Sequence, residues 1–165
     1  MRQRARLGMA MFLLSEAVFF FMLIAAFVYF RDARTAAANL RLGATAVYTV
    51  CLAASSVTMW RAAESGVRSW LVGTIALGAI FLFGQGREYV RLFHQNVTIS
   101  QGLFGTTFFT LTGFHGLHVL IGIAVLGILL RVGAPAAMEA AALYWYFVDA
   151  IWIAIFSVVY LWSFL

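Results

Sequence analysis

Two histidines three residues apart, His115 and His118, lie inside the apolar run TISQGLFGTTFFTLTGFHGLHVLIG at 98–122. On a helix, residues three apart share a face, so both imidazoles point the same general way. The run opens on Thr98, Ser100, Gln101 and Gly102, and carries hydroxyls at Thr106, Thr107, Thr110 and Thr112. Imidazoles at that spacing suit a proton site, a lipid-facing polar site or a metal ligand pair, or simple hydrogen bonding between helices. Three carboxyls lie in similar company. Glu16 sits in FLLSEAVFFFMLIAAF, Asp149 in YWYFVDAIW and Glu88 beside Arg87 in GQGREY. Ionisable groups in apolar segments of this length are costly and face protein or a functional cavity. Desolvation favours the protonated acid at Glu16 unless a cation or donor compensates. A proton site, a lipid-headgroup partner and a neutral interhelical hydrogen bond are all open to it. Asp149 is expected to pair with His115, His118 or a hydroxyl on the fourth helix, with Trp145, Trp152 and Phe156 on its own face. Arg87 and Glu88 are expected to form an interfacial or snorkelling ion pair.

These groups are set in a chain of 165 residues that is 64% hydrophobic and 10% charged, with a mean hydropathy of +0.97. Composition of this kind belongs to a membrane protein. The net charge of +5 comes from eleven arginines and no lysine. They are scattered near the ends of apolar runs, which fits membrane-surface anchoring and not nucleic-acid binding. Arg2, Arg4 and Arg6 resemble the start of a signal peptide, but the apolar run behind them is too long for a cleaved one. Cys51 is the only cysteine, so no intrachain disulfide forms, and an inert buried thiol is expected. There is no phosphate-binding glycine loop, CxxC, CxxCH or nucleophile elbow. Three histidines, two on one helix and His94 outside the core, are too few for two haems and a copper. No catalytic or metal-binding residue is expected in the chain itself.

The pattern predicts an all-α membrane bundle, one domain over 1–165, with spans at about 8–30, 42–60, 70–90, 103–130 and 143–165. Pro135 falls in the last connection, where it interrupts no helix. Arg31, Asp32 and Arg34 close the first span. Gly73, Ala76, Gly78, Gly113 and Gly116 are expected at close helix contacts. The aromatic faces of the first and last helices are expected to be shared between lipid and a partner. With the N-terminus inside, Arg2, Arg4, Arg6, Arg61, Arg68 and Arg131 lie on the inner side. The other five arginines lie outside, and the leading edge of the first helix favours this orientation.

Five segments together resemble subunit III of the haem–copper terminal oxidases, the cytochrome c oxidase family. They are RLGMAMFLLSEAVFFF at 6–21, AASSVTMW at 53–60, GQGREY at 84–89, the segment at 98–122 with its GFHGLH, and YWYFVDAIWIAIFSVVYLW at 144–162. The resemblance implies a non-redox subunit of a proton-pumping oxidase in the bacterial inner membrane. Haem and copper would be held by the catalytic subunit and other oxidase subunits, and phospholipid would be bound here. It places Glu16 on the proton-uptake side and implies support of the partner's catalytic lifetime. Glu16, His115, His118, Glu88 and Asp149 are the candidate proton-uptake or lipid-associated residues. Two departures stand out. The longer family form has two further helices before the SE helix, closing a lipid cleft, and Tyr146 replaces a family histidine. A quinol-oxidase subunit III, an accessory protein of nitric oxide reductase and an autonomous proton conductor remain open alternatives.

Overall fold

A computed structural model describes residues 2–30, 40–100, 102–133 and 135–162. Arg31, Asp32, Arg34, Gln101 and residues 163–165 lie outside the described residues, as do the side chains of Arg2, Arg4 and Arg6. The chain forms α1 (Arg2–Phe30), α2 (Leu42–Ser65), α3 (Arg68–His94), α4 (Leu103–Val132) and α5 (Pro135–Phe156), which widens into a π turn at Ser157–Leu161. There is no strand among the described residues. All five helices are long and apolar enough to cross a membrane.

The helices outrun their expected spans at most ends. The largest difference is in α5, which begins eight residues early at Pro135 rather than at 143. Proline is well suited to the first helical position, where its missing N–H costs nothing, and the alanines of AAMEAAA propagate the helix behind it. Gly66 ends α2 with φ 66, donating its N–H to Ala62 O at 3.0 Å. Gly133 ends α4 in the same way with φ 65, against Leu129 O at 2.9 Å. Both are left-handed positions that glycine adopts without strain.

Packing is centred on α4 and α5. Helix α2 lies against α3 and α5, α3 also lies against α4, and α1 packs onto α4 and α5. Three of the close approaches are made by aromatic rings laid on glycine backbone, and a fourth sets Gly105 against the backbone carbonyl of Thr98. The Trp145 indole of α5 rests on Gly78 of α3 and Gly122 of α4, where an added Cβ would come within 2.8 Å and 2.9 Å of it. Tyr48 lies flat on Gly84, leaving no room for a Cβ. Of the small residues expected at contacts, Gly78 makes one. Gly73, Gly113 and Gly116 meet neighbours at ordinary distances of 3.7–3.8 Å, and Ala76 faces outward. The aromatic face of α5 also departs from expectation. Trp145, Trp152 and Tyr160 are buried; Gly78 and Gly122 supply a hollow for Trp145, and hydroxyls of α2 accept from both indoles. On α1, Leu7, Met11, Leu14, Val18, Phe21 and Tyr29 form an exposed stripe, whereas Phe20 and Phe27 are buried. Cys51 is half-buried.

Candidate functional site

Apolar helices carry few side-chain polar groups, and many of the described hydroxyls here are tied to backbone or to a neighbouring helix. Hydroxyls in α2 and α4 bond back to their own helix, as Thr49 does to Thr45 O at 2.9 Å and Thr112 to Phe108 O at 2.7 Å. With their protons spent locally, hydroxyl oxygens serve as acceptors for neighbours. Trp145 Nε1 donates to Ser55 Oγ and Trp152 Nε1 to Thr49 Oγ1, each at 2.9 Å. Thr58 meets Thr74 at 2.8 Å and Tyr89 meets Thr112 at 2.7 Å. This hydroxyl ladder on α2 was not singled out from the sequence, although the SSVT of AASSVTMW is its visible signal.

The candidate carboxyls and histidines separate into three places. Glu16 of α1 meets His118 of α4, with Oε2 3.1 Å from Nε2. The other imidazole nitrogen, Nδ1, lies 2.7 Å from Phe114 O. A carbonyl can only accept, so Nδ1 carries a proton. Two arrangements then satisfy the Glu16 contact: a protonated acid donating to a neutral imidazole, or a carboxylate accepting from an imidazolium. One proton lies between the two groups in either form, and the pair is neutral overall. Tyr144 donates to His118 O at 3.0 Å, and the Phe20 ring lies 5.0 Å from the imidazole. The site is not sealed. The Glu16 side chain is 22% exposed and that of His118 12%.

His115 lies one turn from this pair and does not join it. Its ring stacks on Trp152 at 4.8 Å, with the Phe81 and Phe20 rings edge-on. Neither ring nitrogen has a hydrogen-bond partner among the described residues. Asp149 corrects the expectation made for it. Its partner is Ser56 of α2, which donates to Oδ2, and not a group on α4. Helix α5 turns this face towards α2, leaving Oδ1 buried with no partner among the described residues.

Glu88 also differs from expectation. Its carboxylate accepts from Arg91, one turn on, through Nη2 and through Nε at 3.1 Å. It also accepts from the backbone N–H of Arg41 at 3.3 Å. Arg87 instead lays its guanidinium 6.0 Å over the Phe83 ring. Three residues back from Arg91 on an α-helix, Glu88 shares its side, whereas adjacent Arg87 is turned 100° away.

No three of the described His, Cys, Asp and Glu residues converge. His118 is engaged at both nitrogens, His115 is enclosed by aromatic rings, and His94 is exposed at the end of α3.

The family model described as cytochrome c oxidase subunit III matches residues 1–164. Cytochrome c oxidase subunit 3 of Corynebacterium diphtheriae is 38% identical over 93% of this chain and 85% of its own length. The Synechocystis protein of that name is 35% identical over 93% and 74%. That of the earthworm Lumbricus terrestris is 36% identical over 96% and 70%. The similarity spans the bundle from the SE motif of α1 to the aromatic turns of α5, and the chain belongs to the cytochrome c oxidase subunit III family.

Proposed function

We propose that the chain is the non-redox subunit III of a proton-pumping cytochrome c oxidase in aerobic respiratory electron transport. In this reading it packs on the catalytic subunit, which holds the haem and copper. It lies in a bacterial inner membrane with its N-terminus in the cytoplasm and its C-terminus outside. It binds phospholipid, supports proton uptake and prolongs the working life of its partner. The exposed stripe of α1 is shared between lipid and that partner.

The observation supporting the proton role is the Glu16–His118 contact. Glu16 lies nine residues beyond Leu7, roughly 14 Å along the helix, in surroundings that are otherwise apolar. A single proton held between a carboxyl and an imidazole can be exchanged without creating net charge there. The contact is open on one side, so a partner group or a lipid headgroup can reach it. Asp149, Glu88 and His115 are assigned to holding the bundle together, since each is buried among helices of this chain.

Purification through a tag on this chain tests the reading. A haem-bearing subunit is expected to accompany it, and the complex is expected to oxidise reduced cytochrome c in preference to a quinol. The separated chain is expected to show no Soret band and no stoichiometric copper. A chain that purifies without any haem-bearing partner, or that carries haem by itself, overturns the proposal.

A further inference from the structure

A cleft of about 910 Å³ lies where the start of α2 meets the end of α3. Its polar wall carries Arg41, Arg87, Arg91 and His94, and its other wall includes Tyr48 and Phe83. The one carboxylate on the lining, Glu88, is buried and already accepts from Arg91 and from the Arg41 backbone N–H. Among the described residues, no carboxylate meets the guanidinium of Arg41 or Arg87. Two positive charges are therefore left facing the cleft. Tyr48 is fixed as its floor by lying against the bare backbone of Gly84.

The surface leading away from the cleft has a different character. Val72, Ala76, Ile80 and Phe83 are exposed along α3 and lead up to Arg87, at spacings of three and four residues. Val47 and Val50 are also exposed on α2. A cationic head above an apolar track has the shape of an amphiphile. Guanidinium groups match the oxygens of phosphate in charge and in geometry, and arginines at the end of a membrane-length helix stand at headgroup depth.

We propose that Arg41 and Arg87 bind the phosphate of an anionic phospholipid whose acyl chains lie along the outer face of α3. The proposal rests on the reading of the chain as a lipid-binding oxidase subunit and places a site on the α2–α3 face. That face is away from α1 and the Glu16–His118 pair.

The test uses the intact oxidase complex, delipidated in detergent and titrated by native mass spectrometry with phosphatidylglycerol, with phosphatidylethanolamine or with inorganic phosphate. Removing one interfacial arginine charge weakens binding about 5-fold, so Arg41→Gln with Arg87→Gln is expected to weaken phosphatidylglycerol binding about 30-fold. Lysine at both positions keeps the charge and is expected to restore most of it. Gln at Arg61 and Arg68, at the other ends of α2 and α3, is expected to leave it unchanged. Equal binding by wild type and the Arg41→Gln, Arg87→Gln variant overturns the site, as does indifference between the two lipids. Inorganic phosphate binding as tightly as phosphatidylglycerol assigns the site to a free anion and overturns the lipid. A wild-type complex that retains no lipid of any kind counts against the broader reading instead.

Discussion

The Trp145 indole occupies the volume that a side chain on Gly78 would need, with Cη2 2.8 Å from the place of its Cβ. The ring cannot swing aside freely, because its Nε1 is bound to Ser55 and its opposite edge lies on Gly122. Gly78→Ala and Gly122→Ala are therefore each expected to destabilise the bundle by about 1–3 kcal/mol. Alanine at Gly113 or Gly116, where space is ordinary, is expected to be tolerated. Thermal unfolding of the purified complex checks this, and equal midpoints for all four variants would remove Trp145 as the wedge.

Substitution at Glu16 separates its proton from its volume. Glutamine can still donate to His118 Nε2, which must accept because Nδ1 is spent on Phe114 O, so Glu16→Gln is expected to assemble normally. It has no proton to exchange, and slower turnover with an altered pH profile is expected. Glu16→Ala also strands the imidazole, and about 1 kcal/mol of stability is expected to go with it. Turnover by Glu16→Gln equal to wild type at every pH would confine Glu16 to packing.

Access predicts which membrane carboxyl a hydrophobic carbodiimide reaches first. The Glu16 side chain is 22% exposed. Asp149 is 5% exposed and enclosed between α2 and α5. Peptide mapping after brief labelling is expected to find the adduct on Glu16 before Asp149. The reverse order would contradict the geometry.

Ser56 donates to Oδ2 of Asp149, whose Oδ1 has no hydrogen-bond partner among the described residues. Ser56→Ala is expected to cost about 1–3 kcal/mol by leaving a buried carboxyl unpaired. Thr58→Val removes a hydroxyl contact between α2 and α3, and the expected loss is nearer 0.6 kcal/mol. Melting temperatures of the complexes should rank the two in that order.

The bundle was legible because apolar length and arginine punctuation report bilayer crossing directly, whatever the helices pack against. The Glu16 and His118 positions stood out for the same reason, as polar groups in membrane-length runs. Their mutual contact did not. It depends on α1 docking on α4, and α1 is uniformly apolar around most of its circumference, so no stripe identifies the inward face. Asp149 misled for a related reason. The face of α5 that holds it also carries Trp145 and Trp152, and aromatic residues suit lipid, protein or interface equally well. Only the glycine hollows at Gly78 and Gly122 and the hydroxyls of α2 decide that this face turns inward. Adjacent Arg87 and Glu88 suggested a pair, whereas helical geometry gave the carboxylate to Arg91.

The arrangement of α1 has a consequence for synthesis. Its residues leave the ribosome before those of α4 and α5, the helices it packs on. The contact between Glu16 and His118 closes across 102 residues. Until α4 has entered the bilayer, Glu16 must wait in lipid without its imidazole, where an acidic side chain carrying charge costs about 2.5–3.5 kcal/mol. The helix therefore enters the bilayer with Glu16 lacking its interhelical partner, and the contact that ties α1 to the bundle forms only once α4 is in place.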